Sequence, residues 1–452
     1  MKRFIVIIAA SLLCGAMLRA EETQEIRKTG YNIGPLPAIA YDADKGLQLG
    51  AIFQLFNYGD GHNYPNYDSK LYLEYSFFTK GSHLIQCRYD NKELIPGVRW
   101  SSSIRVNLDK AYDFYGFNGF QSYYDADKIA KGKDKGSNDP IFSPFYKYQR
   151  NEVKFKTDFL GEITPSLRWE GGLFFDYFKL GSIDYANINK GKDEKKMFPE
   201  GMPTMFDYYK ASGIISKDEM DGGYAGGLRA GLVFDTRDKE GAPSRGIWAE
   251  GHVTAALPGI SKIQYYRYSL TWRHYVPIVK NDVLTFAYRL NYEGNFGNKA
   301  PFYALSYITN MGEKCDFEGM GGYNTVRGIM RARVVGLDMA TYTAEMRWRF
   351  VKFHIGRQNI ALALNAFSDG SMVTKGIDIS KLKTLTGSPV ALYGQDKEVP
   401  HITFGAGFRF IMNENFIVAA EYGTPLTHFL KNSPLYNQDG TGAFYVNIGY
   451  LF

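Results

Sequence analysis

The chain has 452 residues, of which 22% are charged and 16% aromatic, with 34 Tyr, 32 Phe and 48 Gly. A helical membrane protein needs apolar runs of about 20 residues, and the one long apolar run, Phe4 to Leu18, sits at the N-terminus. The net charge of +6 falls to 6 − 3 = +3 if Lys2, Arg3 and Arg19 leave with a signal segment, and no basic block lies beside stacking aromatics, which argues against a nucleic-acid partner.

Residues 1–20 read as a secretory signal peptide: Lys2 and Arg3 form the positive start, Phe4 to Leu18 the apolar stretch, and Ala20 the last residue before cleavage, with Ala16 as a second candidate. Cys14 raises the question of lipidation, but the Leu13 before it is bulkier than the small residue such processing uses. Residues 21–34 form a short periplasmic segment, too small for a folded domain. Residues 35–452 then carry strand patterning to the end. Cys87 alternates with Ile85 and Tyr89 and faces the apolar side; with Cys315 far away, no disulfide framework is expected.

Side chains alternate between the two faces of a strand, and about sixteen segments of barrel length do so here. They lie near 35–42, 46–56, 68–78, 82–92, 98–110, 147–160, 165–180, 224–236, 245–257, 262–278, 282–295, 338–352, 357–368, 400–412, 415–423 and 443–452. Val98, Trp100, Ile104, Val106 and Leu108 alternate with Arg99, Ser101, Ser103, Arg105 and Asn107. Leu284, Phe286, Tyr288 and Leu290 alternate with Thr285, Ala287, Arg289 and Asn291. Tyr342, Ala344, Met346, Trp348 and Phe350 alternate with Thr343, Glu345, Arg347 and Arg349. The chain closes on Phe444, Val446, Ile448, Tyr450 and Phe452 along one face. A soluble sandwich also alternates, but it does not need Tyr and Trp near both strand ends; interfacial girdles do.

Connection lengths give a separate argument. The connections after even-numbered segments are mostly tight, as at 93–97, 161–164, 279–281 and 413–414, whereas 111–146, 181–223, 296–337, 369–399 and 424–442 all follow odd-numbered ones. Short turns on one rim and long loops on the other mark a transmembrane antiparallel β-barrel with its long loops outside the cell. The connection 57–67 fits worst, being long for the turn rim. The charge-rich loops 125–140 and 185–200 are expected to be mobile.

Two stretches resemble a known family. Asp235-Thr236-Arg237-Asp238, followed by Gly241-Ala242-Pro243-Ser244-Arg245-Gly246, is similar to the strand–turn–strand signature of the bacterial surface-antigen barrels, the family of BamA and TamA. Gly321-Gly322-Tyr323-Asn324-Thr325-Val326-Arg327-Gly328 resembles the Val-Arg-Gly tip of their sixth external loop, and it lies between the eleventh and twelfth segments, as in the family. The resemblance covers the mature chain. It implies that this loop folds into the lumen and that Arg327 pairs there with inward carboxylates of the twelfth and thirteenth strands. Parity supplies Glu345, which shares a face with Arg347, and Asp369, which shares one with Asn365. A buried guanidinium needs such partners, and its forked donors suit two carboxylates. Gly321, Gly322 and Gly328 allow tight turning. The sequence departs at Ile329, where the family carries an aromatic, and in lacking the family's periplasmic repeat domains, so it looks like a barrel-only member.

Enzymatic signals are absent: there is no His-Glu-x-x-His pair, no metal-ligand spacing, no Gly-x-Ser-x-Gly elbow, and Ser269 and His274 have opposite parity. No cofactor or metal is expected. The resemblance implies assistance in inserting, translocating or assembling protein or lipid at the outer membrane of a Gram-negative bacterium. The partners would be membrane lipids, unfolded outer-membrane proteins and periplasmic or lipoprotein subunits. Two alternatives are a passive channel, with Arg289, Arg327, Arg347 and Arg349 favouring anions, and a barrel that scaffolds other surface proteins. Pro35 and Pro37 cannot donate ladder hydrogen bonds, which would weaken a seam between first and last strands.

Overall fold

A computed structural model describes residues 26–42, 46–79, 81–126, 129, 143–191, 193–194, 197–297, 300–313, 316–385 and 394–448. The signal segment, most of loop 125–140, Cys315, Tyr450 and Phe452 lie outside them. One antiparallel sheet of sixteen strands runs in sequence order. Its strands are β1 (Tyr31–Asp42), β2 (Gly46–Asn57), β3 (Ser69–Phe78), β4 (His83–Ile95), β5 (Val98–Asp113), β6 (Lys147–Thr164), β7 (Leu167–Gly181), β8 (Gly222–Asp235), β9 (Gly246–Ala256), β10 (Tyr265–Val279), β11 (Leu284–Asn295), β12 (Asp338–Ile355), β13 (Gln358–Lys375), β14 (His401–Met412), β15 (Phe416–Pro425) and β16 (Ala443–Ile448). Each follows a segment read from alternation, with ends shifted by a few residues.

The polarity is inside out. On β11, Thr285, Ala287, Arg289, Asn291 and Glu293 are buried, while Leu290 on the opposite face is exposed. On β7, Leu173, Phe175 and Tyr177 are exposed, and Glu170 and Asp176 are buried. Apolar side chains on the accessible surface of strand after strand would be an aggregation hazard in water; facing acyl chains they are what a barrel wall requires. Cys87 is half-buried and registers between Leu73 and Ile104, both exposed, on this outer face.

The turn rim is built from left-handed residues. Asn413 and Glu414 have φ of 51° and 61°, and Asn281 and Asp282 have φ of 60° and 59°, the backbone hand that lets a short hairpin follow the strand twist. The long 58–68 connection belongs to this rim and crosses its mouth. Asn415 Nδ2 donates to Tyr58 Oη (3.1 Å) and Pro65 O (2.6 Å), and Asn359 Nδ2 donates to Tyr64 Oη (2.9 Å). Ile26 N donates to Asn359 Oδ1 at 2.8 Å, so the chain before β1 joins the same cap. The anomalous length of that connection is thus the length needed to span the opening.

The opposite rim is roofed by an aromatic cluster. Helix α1 (Tyr185–Asn189) and helix α2 (Met205–Ala211) lie in the 182–221 loop. Thr204 and Asp207 form a reciprocal cap at the start of α2 (Asp207 N to Thr204 Oγ1 3.3 Å, Thr204 N to Asp207 Oδ2 2.9 Å). Phe206 and Tyr209 of α2 are buried against Phe114, Phe117, Tyr148 and Phe302, with Phe114 and Tyr209 ring centroids 5.2 Å apart and edge to face. In the described part of the charged 185–200 stretch, Tyr185 is buried, and Asn189 exchanges hydrogen bonds with the backbone of Phe198 (2.7 and 2.8 Å). The described charges Lys190, Asp193, Glu194 and Glu200 are exposed.

At the turn rim, Lys92 Nζ (3.0 Å) and Arg99 Nη1 (3.2 Å) grip the Glu240 carboxylate. Burial pushes this carboxyl up, but Arg99 and Lys92 outweigh that and hold it well below the usual carboxylate range. A depressed acid contributes its full stability well above its unfolded value, about 4.3, and loses it progressively as pH falls from there through the folded value. Protection of the 237–244 turn from protease is therefore expected to be unchanged between pH 7 and about pH 5.5. Glu240→Gln should raise cleavage at Lys239 roughly ten- to a hundredfold at both, from losing hydrogen bonds to a charged group worth about 1.5–3 kcal/mol.

Candidate functional site

The 296–337 connection between β11 and β12 enters the lumen. It begins with the short helix α3 (Phe302–Leu305) and a two-residue ladder, Tyr307–Ile308 with Phe317–Glu318. Polar groups of the wall fasten this descending arm. Arg229 Nη2 and Lys156 Nζ donate to Asn310 O (2.6 and 2.7 Å), Asp158 accepts from Gly312 N (3.0 Å), and Glu293 accepts from Thr309 N (3.2 Å). Farther on, Glu313 reaches Lys70 and Tyr67 near the turn rim.

The loop then turns at Gly321 and Gly322, whose φ of 125° and 82° favour glycine. Thr325 closes the turn through its Oγ1, which accepts from Gly321 N (2.8 Å) and donates to Gly321 O (3.0 Å). Val326 is buried and bridges to Gly322. This geometry delivers Arg327 to the lumenal face of β12–β15.

Arg327 is fully buried, and three strands supply its partners. Nε and Nη2 fork onto Asp369 Oδ2 and Oδ1 of β13 (2.8 and 2.9 Å), and the Arg327 backbone N also donates to Asp369 Oδ2 (3.0 Å). Nη1 donates to Glu345 Oε1 of β12 (2.6 Å) and to Glu421 Oε2 of β15 (3.1 Å). The guanidinium carbon lies 3.5 Å from the Phe367 ring centroid. Arg409 of β14 donates to Glu345 Oε1 (3.0 Å) and Glu421 Oε1 (2.6 Å), and Arg347 Nε to Glu345 Oε2 (2.7 Å). Three guanidinium groups thus meet three carboxylates. Parity and resemblance named Arg327, Glu345 and Asp369. They missed Glu421 and Arg409, although each is the one charged group on its strand, on the polar face, and such a group inside a barrel needs a partner.

The tip touches the wall without side chains between. A Cβ added at Gly328 (φ 95°) would meet Gly423 C at 2.6 Å, and one at Gly423 would meet Arg327 C at 2.8 Å. Gly328 N donates to Tyr445 Oη of β16 (2.9 Å), and the Tyr323 and Tyr445 rings lie 5.8 Å apart. Ile329, in the place of an aromatic, is buried. Past the tip, Arg331 pairs with Asp113 (2.9 Å) and Asp109 (3.1 Å) at the end of β5, and Arg333 donates to Gly119 O (2.7 Å) under the roof.

β16 is the last strand, and it pairs with β15 from Ala443↔Gly423 to Ile448↔Val418. β1 lies alongside it, but among the described residues no ladder joins the two. Pro35 and Pro37 register with Phe53 and Ala51 of β2 without a slip. Two prolines two residues apart withdraw two donors from one edge of β1.

The 235–246 motif forms its own pocket of contacts. Arg237 forks onto Asp235 (both 2.9 Å) and stacks on Trp248 (4.2 Å), while Asp238 accepts from Ser244 N (3.0 Å) and Arg245 N (3.1 Å). Gly246 has φ of 104°, and a Cβ there would strike Thr236 O at 2.2 Å. Pro243 and Ala242 are buried, and Ala242 packs on Ala361, Ala363, Ile411 and Ile417, so the turn folds inward across the mouth. Of the four arginines an anion-selecting ring would use, Arg327 and Arg347 serve the carboxylates above, Arg349 donates to Glu414 Oε1 (3.0 Å) and Ala242 O (3.1 Å), and Arg289 Nη2 donates to Thr325 O (3.4 Å). Ser269 and His274 part to opposite faces, toward Glu293 (2.6 Å) and Tyr288 (3.2 Å).

A family model described as the Omp85 superfamily domain matches residues 100–452. Among solved structures the chain is similar to BamA from Haemophilus ducreyi lacking POTRA domains 1-3, with 16% identity, a TM-score of 0.53, and coverage of 93% of this chain and 70% of that one. It is also similar to CdiB from Escherichia coli, with 10% identity, a TM-score of 0.51, and coverage of 92% of this chain and 62%, less than two thirds, of that one. At these identities the likeness is one of fold. No curated protein matches the sequence.

Removing one member of a buried ion cluster leaves the others uncompensated, at a cost of about 3–5 kcal/mol. Arg327→Ala is therefore expected to lower the unfolding midpoint of the detergent-solubilised barrel and expose the 319–331 tip to protease. Arg327→Lys, which cannot fork between Asp369 and Glu345, should recover only part of the loss. Heat-modified gel mobility and limited proteolysis check both.

Proposed function

The chain belongs to the Omp85 superfamily of outer-membrane β-barrels, and on that footing we propose that it assists insertion, translocation or assembly of polypeptides, or of lipids, at the outer membrane. The observation that carries this reading is the seam. β1 and β16 are neighbours with no described ladder, and β16 is held to the lumenal loop tip through Tyr445. A strand edge that is not locked in a ladder can template an incoming strand. The Arg327 cluster keeps β12, β13, β14 and β15 in one piece beside it, so the wall can part at the seam without losing its shape.

A passive channel has less support. The loop crosses the lumen, an aromatic roof covers one mouth, and the 58–68 and 237–244 segments cross the other. Clients in this proposal are unfolded outer-membrane proteins, with periplasmic or lipoprotein subunits as helpers. Residues 1–20 act as a cleaved signal peptide, and the barrel has no catalytic role.

The test is an engineered disulfide joining β1 to β16 in the barrel reconstituted into liposomes with an unfolded eight-stranded client. The tethered form is expected to lose client assembly and to regain it on reduction, while its heat-modified mobility stays that of a folded barrel. Unchanged assembly by the tethered form would show that the seam does not open.

A further inference from the structure

One cluster on the lumenal wall takes no part in the lock. Glu170 of β7, Gly231 of β8 and His252 of β9 stand in one cross-strand row, since Glu170 registers with Gly231 and Gly231 with His252. Glu250, two residues before His252, shares its face. Gly231 is what lets the outer two meet: a Cβ there would lie 2.6 Å from Glu170 Oε1 and 2.6 Å from His252 Cβ. Glu170, Glu250 and His252 are all buried, and one ligand atom from each lies within 4.8 Å of the others.

The row converges acceptors. His252 Nε2 is 3.1 Å from Thr309 Oγ1, and Thr309 Oγ1 donates to Glu293 Oε2 at 3.1 Å. Thr309 therefore accepts from an Nε2–H, and the neutral tautomer keeps its lone pair on Nδ1. That atom faces Glu250 Oε1 at 3.0 Å and Glu170 Oε1 at 3.8 Å, yet makes no hydrogen bond of acceptable geometry. Glu170 is only 3% exposed, and neither of its oxygens accepts a hydrogen bond. Arg229 and Lys156 donate to Asn310 O and Arg273 lies over Trp248, and none of the three hydrogen-bonds Glu170. A buried carboxylate left so is costly.

We propose that Glu170, Glu250 and His252 bind a divalent transition-metal cation of the zinc class, which fastens the descending arm of the internal loop to the barrel wall. One imidazole and two carboxylates are a borderline-to-hard donor set suited to such ions. Bonds of about 2.1 Å in a tetrahedron place ligand atoms roughly 3.4 Å apart, and the measured 3.0 and 3.8 Å bracket that. The Nε2–Thr309–Glu293 relay is the outer-shell support that ligating histidines use. Met311 N donates to Glu250 Oε1 at 3.2 Å, which ties the site to the loop a second time. Sequence spacing gave no warning, because Glu170 lies far along the chain from Glu250 and His252 and meets them only through strand register.

The test uses the tag-free barrel in detergent, stripped with a chelator and titrated with zinc ion by calorimetry. One equivalent is expected to bind and to raise the unfolding temperature. Glu170→Gln and His252→Asn should weaken binding by at least about a hundredfold, beyond what outer-shell changes cause, and should abolish the thermal shift. If a variant fails to fold, X-ray absorption of the zinc-loaded wild type decides: one imidazole with oxygen ligands supports the site, and none or several overturns it. Absence of stoichiometric binding, which would leave Glu170 as a protonated acid, overturns it too, as does undiminished binding in folded variants.

Discussion

The tip of the loop inside this barrel is arranged around one guanidinium that has left water. Arg327 cannot rest in the lumen without acids, and Asp369, Glu345 and Glu421 cannot sit so close together without it. The carboxylates come from three strands and the arginine from a loop, so the cluster ties the wall to its filling. Two glycines follow from the same demand. Only with Gly328 and Gly423 face to face can the loop backbone come near enough for the fork onto Asp369 to close.

The wall was readable from the sequence because its cause is local. Alternation at period two needs no knowledge of what lies across the lumen, and it located the strands; with the family resemblance it also pointed to Glu345 and Asp369. Glu421 and Arg409 escaped because choosing a partner among inward charges requires register between strands, which parity alone does not supply. The aromatic roof escaped for another reason: Phe114, Phe206 and Phe302 come from three separate loops with no periodicity to connect them. The 58–68 connection was legible only as a misfit, and the fold explains its length by the width it covers. Charge in 185–200 gave no sign of the buried Tyr185 or of the Asn189–Phe198 hydrogen bonds.

Last strand and cluster are adjacent on the wall. β15 carries Glu421 and Gly423, and its neighbour β16 carries Tyr445, so the last strand is held from within by the loop as well as from the side by β15. Among the described residues, this internal support stands where no ladder to β1 does.

The internal loop is also continuous from face to face. Arg331 and Arg333 hold it to the strand ends and backbone under the outer covering, Arg327 holds it at mid-height, and Glu313 holds it to Lys70 and Tyr67 beside the inner opening. It is a strut, pinned at both ends and in the middle. Sliding such a strut along the barrel axis would have to break ion pairs at Arg331, Arg327 and Glu313 together, so its height in the lumen is fixed three times over.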